Sequence, residues 1–150
     1  MNWTAFDFIV FAAMIASVGG AFFLALRRTK SRKYRTAAGV ALATAFILVW
    51  ANGAVGIIGD ENNDANLMYF GVLAIAIVGA SIARFKARGM ARAMYATAAA
   101  QTLVAVIALL IAPGPLGPAW PKDILIVTAF FASLWLLAAR LFQLAAAQAE

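Results

Sequence analysis

Five long apolar stretches, separated by short connections that hold most of the charged residues, constrain the fold of this chain more than any other feature. They cover residues 4–26, 36–58, 67–83, 93–112 and 124–144. A helix needs roughly 20 apolar residues to cross a bilayer, a length that four of the stretches reach. The third stretch is shorter, and we expect it to extend toward Lys86, whose side chain can reach the headgroups. Each stretch therefore predicts a transmembrane helix.

The composition agrees with a membrane environment. Hydrophobic residues make up 65% of the 150 residues and charged residues only 12%, whereas a soluble domain has roughly 25% charged residues. A domain of this size cannot bury so many apolar side chains, because much of its surface stays exposed. The apolar side chains that cannot be buried must face lipid. We expect one all-α integral membrane domain, a bundle of five transmembrane helices.

The cationic side chains predict how the bundle is oriented. The connections after the first and third stretches hold most of them, namely Arg27, Arg28, Lys30, Arg32, Lys33, Arg35, Arg84, Lys86, Arg88 and Arg92. Short loops rich in Lys and Arg stay in the cytoplasm. The two basic connections lie on the same side of the membrane only if the chain crosses it at every apolar stretch. This arrangement puts the N-terminus outside and the C-terminus in the cytoplasm. We expect these side chains to attract anionic lipid headgroups, and we expect no nucleic-acid partner despite the net charge of +6.

The other connections should contain turns and helix caps. The acidic segment between the second and third stretches holds Asp64 and Asn66, either of which is placed to cap the third helix. Pro113 is expected to end the fourth helix.

The chain has no cysteine and no histidine. Disulfides, haem attachment through cysteine and the usual zinc ligands are therefore excluded, as is the commonest general base of active sites. We expect no cofactor, no metal site and no catalytic residue, and we interpret the protein as non-enzymatic.

Four residues inside the apolar stretches are candidates for a polar path. Asp7 is either a proton- or cation-coupling carboxylate or a shallow residue that reaches water. Asn52 and Gln101 either line a solute path or bond across helices, an interaction of about 0.6 kcal/mol. Trp50 either forms the wall of a cavity or fills the core.

Stripes of small residues predict close helix packing, because small side chains let helix backbones approach each other in lipid. The first stretch carries Ala13, Ser17, Ala21 and Ala25, and the fourth carries Ala93, Thr97, Gln101 and Ala105. The third offers the pairs Ala76 with Ala80 and Gly79 with Ala83.

The segment Trp-Ala-Asn-Gly-Ala-Val-Gly-Ile-Ile-Gly at residues 50–59, followed by Asn63, Asn66 and Leu-Met-Tyr-Phe at 67–70, resembles small inner-membrane proteins of Proteobacteria. This family is uncharacterised, so the resemblance implies a bacterial inner membrane with several crossings but no site residues.

Two functions remain open from the sequence. The first is an accessory or assembly subunit of a membrane complex, acting through helix packing, with a larger complex or a second copy of the chain as partner. The alternative is a small oligomeric transporter or channel whose path is lined by Asp7, Trp50, Asn52 and Gln101.

Overall fold

The structure, a computed structural model, describes residues 3–111 and 116–149. Its helices are α1 (Ala5–Arg28), α2 (Arg32–Ala54), α3 (Met68–Ile82), α4 (Ala87–Ile111) and α5 (Lys122–Ala149), with a 3-10 helix at Asp64–Leu67 that leads into α3. All five are long and apolar enough to cross a membrane, α3 together with its 3-10 turn. The predicted all-α bundle of five apolar helices is confirmed. The predicted end of the fourth helix, at Ala112 and Pro113, lies outside the described residues.

The second helix begins and ends earlier than residues 36–58. Its first turn forms at Arg32 because Ser31 Oγ accepts a hydrogen bond from the backbone N–H of Tyr34 at 3.2 Å. The chain leaves the helix at Gly56, where φ is +75°. A Cβ there would collide with the backbone of Asp60, so the turn requires glycine.

Caps at the start of α3 also differ from the sequence expectation. Asn63 caps the 3-10 helix, its Oδ1 accepting from the backbone N–H of Ala65 at 3.0 Å. Asn66 turns inward instead of capping α3, and Leu67 at the N-cap makes no side-chain hydrogen bond to the helix. The expected capping by Asp64 or Asn66 is wrong because Asn66 satisfies backbone groups of the preceding turn.

Helices α4 and α5 form the centre of the bundle, with α2 packed on α5 and α3 packed on α4. Trp135 and Phe142 of α5 and Leu48 of α2 are among the largest fully buried side chains. Helix α1 packs mainly on α2, and none of its residues is buried. The molecule is therefore a four-helix core with a peripheral first helix.

The charges separate to opposite ends of the bundle. At one end, here called the basic end, the Tyr34 hydroxyl donates to the backbone carbonyl of Phe85 at 2.6 Å and joins the first turn of α2 to the α3–α4 connection. Arg84 and Phe85 adopt left-handed conformations there, with φ of 51° and 59°, at a cost of roughly 1–2 kcal/mol each. The opposite, acidic end carries Asp7, the turn of residues 55–67 and the first residues of α5.

Candidate functional site

Three of the four predicted path residues meet at the acidic end. Asp7 of α1 and Trp50 and Asn52 of α2 line one cavity of about 770 Å³, here called the outer cavity. Its other walls come from the turn of residues 55–67 and the start of α3. Nothing in the sequence places Asp7 and Asn52 at the same cavity, because the packing of α1 on α2 brings them there.

Asp7 is held by the first turn of α1. Its Oδ2 accepts hydrogen bonds from the backbone N–H of Thr4 at 2.7 Å and from the Thr4 hydroxyl at 2.8 Å. The Thr4 hydroxyl in turn accepts from the backbone N–H of Asp7 at 3.3 Å, which completes a capping box. This carboxylate therefore has a structural role in starting α1, and it also contributes negative charge to the rim of the outer cavity.

Asn66 organises the wall of the outer cavity opposite α1. Its Oδ1 accepts from the backbone N–H groups of Ile57 at 2.9 Å and Ile58 at 2.8 Å. Its Nδ2 donates to the carbonyls of Ile58 at 3.2 Å and Asp60 at 2.7 Å. Since Asn66 is only 5% exposed, these bonds satisfy backbone groups that water does not reach. This role was not predicted from the sequence, although three asparagines in one short turn are a signal for it.

Asn52 lies at the base of the outer cavity and is 8% exposed. Its Nδ2 donates to the backbone carbonyl of Asn66 at 3.0 Å, which ties α2 to the turn. Its Oδ1 is buried and accepts no hydrogen bond from the described residues. Leaving a buried amide oxygen without a donor costs roughly 1–3 kcal/mol.

Aromatic and acidic side chains supply the rest of the lining of the outer cavity. The aromatic ones are Trp3, Phe6, Phe11, Trp50 and Phe70, and the acidic ones are Asp7, Glu61 and Asp64. Trp3 packs edge-on against Phe11, with ring centroids 5.8 Å apart. None of the described residues that line this cavity is Lys or Arg. Among the described residues, no acidic side chains form a group of three or more that could hold a metal ion.

A second cavity of about 650 Å³, here called the apolar cleft, continues from the outer cavity along the inner face of α1. Val10, Met14 and Val49 line both cavities, so the two are adjoining parts of one crevice. Small side chains of α1, among them Ser17, face the cleft, and Trp135 of α5 lies at its floor. The predicted small-residue stripe of α1 therefore lines the apolar cleft and does not pack closely against another helix.

The basic end closes the apolar cleft. Tyr34 and Phe85, which are joined by the hydrogen bond described above, both line it there. Arg35 fixes the end of α1 by donating from Nε to the carbonyl of Thr29 at 2.8 Å and from Nη2 to that of Leu26 at 2.7 Å. The other predicted topology residues surround this end on α1, α2, α4 and the two connections, α1–α2 and α3–α4.

Gln101 is separate from the crevice. It lies in the middle of α4, is fully buried and lines neither the outer cavity nor the apolar cleft. Neither atom of its amide has a hydrogen-bond partner among the described residues. The structure therefore brings together Asp7, Trp50 and Asn52 but places Gln101 in the packed core.

No family model matches the chain, and no curated protein or solved structure matches it significantly. The resemblance to small proteobacterial inner-membrane proteins stays a prediction, and the function is argued from the geometry.

Proposed function

We propose that this protein lies in a bacterial inner membrane and binds an amphiphilic molecule in the crevice between α1 and helices α2 and α3. The basic end faces the cytoplasm and the acidic end faces outward, because clustered Lys and Arg residues resist translocation. In this orientation the outer cavity opens toward the outer leaflet and the apolar cleft lies at the depth of the acyl chains.

The observation that carries this proposal is the change in character between the two adjoining cavities. Polar and aromatic residues line the outer cavity, whereas the cleft below it is lined almost entirely by apolar groups. Each part lies within the range of roughly 300–1,000 Å³ that ligand pockets occupy. A molecule with a polar head and an apolar tail is complementary to this pair of cavities, with its head in the outer cavity and its tail in the apolar cleft.

The position of α1 supports entry from the side. No residue of α1 is buried, and the helix rests mainly on α2, to which a connection of three residues joins it. Moving α1 away from α3 breaks few contacts with the core. An amphiphile in the bilayer can therefore enter between α1 and α3 without opening the four-helix core.

Quenching of Trp135 by brominated acyl chains tests the proposal. A variant with Trp3, Trp50 and Trp120 replaced by Phe keeps Trp135, which is 1% exposed, as the only tryptophan. In bilayers of lipid brominated at mid-chain we expect quenching, because a chain in the cleft contacts this indole. Ser17→Phe should fill the cleft and reduce quenching. Ala16→Phe, one residue away on a face that does not line the cleft, should not. Equal emission in brominated and ordinary lipid would contradict the proposal.

A second candidate, the accessory or assembly subunit, is favoured by the outward face of α1. Ala12, Ala16 and Gly20 are exposed along this face, and a Cβ on Gly20 would meet nothing within 4 Å. Small residues at this spacing allow another transmembrane helix to approach closely. Gly20→Leu should then abolish co-purification of a partner or a second copy in mild detergent, with Gly71→Leu as control, since a Cβ on Gly71 also meets nothing within 4 Å. Purification as a solitary chain at native expression would contradict this candidate.

A further inference from the structure

We infer that the head of the amphiphile is an organic cation, an alkylammonium group held in the outer cavity while its chain enters the apolar cleft. This inference rests on the proposed function for the position of the chain. The head is assigned from the lining of the outer cavity alone.

The described residues that line the outer cavity contribute three carboxylates and no Lys or Arg. Asp60 and Asp123 add negative charge at the same end, where Lys122 is the one cationic side chain in the described ranges. A cavity lined by one sign of charge with low-dielectric walls concentrates ions of the opposite sign. The field therefore favours a cationic head over an anionic one.

The aromatic lining of the outer cavity favours an organic cation over a metal ion. The electron-rich faces of Trp, Tyr and Phe attract ammonium groups, and Trp does so most strongly. Trp3 and Trp50, on different helices, both line the outer cavity, together with three phenylalanines. A volume of about 770 Å³ suits an alkylated ammonium. The carboxylates of the described residues, by contrast, do not gather into a group able to hold a metal ion.

The carboxylates and the aromatic side chains that line the outer cavity are thus both complementary to the same chemical group, an alkylammonium head.

Calorimetric titration of the protein in dodecyl maltoside tests the inference, with heats corrected against empty micelles. The ligands are dodecyltrimethylammonium, which has the head and the chain, and tetramethylammonium, which has the head alone. We expect dodecyltrimethylammonium to bind more tightly. Glu61→Gln should weaken its binding about threefold, as should Trp50→Leu, in line with exposed ion pairs and cation–π contacts. Asp60→Asn removes one charge from the same turn but does not alter the lining, so it should leave the affinity within about twofold.

The outcomes separate the two claims. If Glu61→Gln and Trp50→Leu leave dodecyltrimethylammonium binding unchanged while brominated chains still quench Trp135, the cationic head is overturned and the proposed function stands. If both variants weaken binding but tetramethylammonium binds as tightly as dodecyltrimethylammonium and Ser17→Phe has no effect, the cationic site is supported. In that case the chain does not occupy the cleft and the proposed function fails.

Discussion

At the scale of single residues, Asn66 has the largest structural role in the candidate site. One side chain satisfies four backbone groups of the turn of residues 57–60, and the backbone carbonyl of the same residue holds Asn52. Without it, buried N–H and C=O groups at the acidic end would lose their partners, each at a cost of roughly 1–3 kcal/mol.

We predict that Asn66→Ala lowers the free energy of unfolding by about 3 kcal/mol, because several buried backbone groups would lose their partners at once. Thermal unfolding in detergent, followed by circular dichroism, measures the change. Asn62→Ala is the matched control, since Asn62 is exposed in the same turn and its backbone N–H, which the substitution keeps, donates to the Asp60 carboxylate at 2.9 Å. Equal melting temperatures for the two variants would show that Asn66 does not hold the turn.

The sequence could predict individual polar residues but not their grouping. Asp7, Trp50 and Asn52 are recognisable because polar or large aromatic residues inside apolar stretches are rare. Their meeting in one cavity depends on how α1 packs on α2, which no local pattern encodes. Gln101, like Asn52, is an amide inside an apolar stretch, yet it lies in the packed core. The sequence cannot distinguish an amide that lines a cavity from one that is buried between packed helices.

At the scale of helices, small residues act differently in α3 and α1. Gly79 of α3 lies so close to α4 that a Cβ there would come within 2.8 Å of the Ala93 Cβ. The stripe of α4 from Ala93 to Ala105 is buried, as its spacing predicted, whereas the stripe of α1 borders the apolar cleft. In lipid, an apolar helix face gains little by facing protein instead of acyl chains, so the sequence alone could not distinguish these two cases.

Alanine at Gly79 should therefore destabilise the bundle, whereas alanine at Gly71 should not. Both glycines lie in α3, so both substitutions gain about 1 kcal/mol of helix propensity. Only at position 79 does the new Cβ meet a neighbour closer than 3 Å, and overpacking costs roughly 1–3 kcal/mol. Melting temperatures in the same detergent compare the two variants. A Gly79→Ala variant as stable as Gly71→Ala would mean that α3 and α4 are farther apart than described.

At the scale of the whole molecule, the proposed function depends on which end of the bundle faces which side of the membrane. The sequence predicted that the two basic connections lie together, and the hydrogen bond between Tyr34 and Phe85 places them at one end. The direction of this end is proposed from its charge. The depth of the cleft, the leaflet that the outer cavity faces and the route of the amphiphile all depend on it.

Accessibility of single introduced cysteines tests this arrangement most directly, because the chain has no cysteine of its own. Asn62→Cys, Lys30→Cys and Lys86→Cys place exposed thiols at the acidic end and on the two basic connections. A membrane-impermeant maleimide applied to intact spheroplasts is expected to label position 62, and to label positions 30 and 86 only after permeabilisation. Labelling of positions 30 and 86 from opposite sides, or of position 62 from the same side as position 30, would contradict the five-crossing bundle and the site built on it.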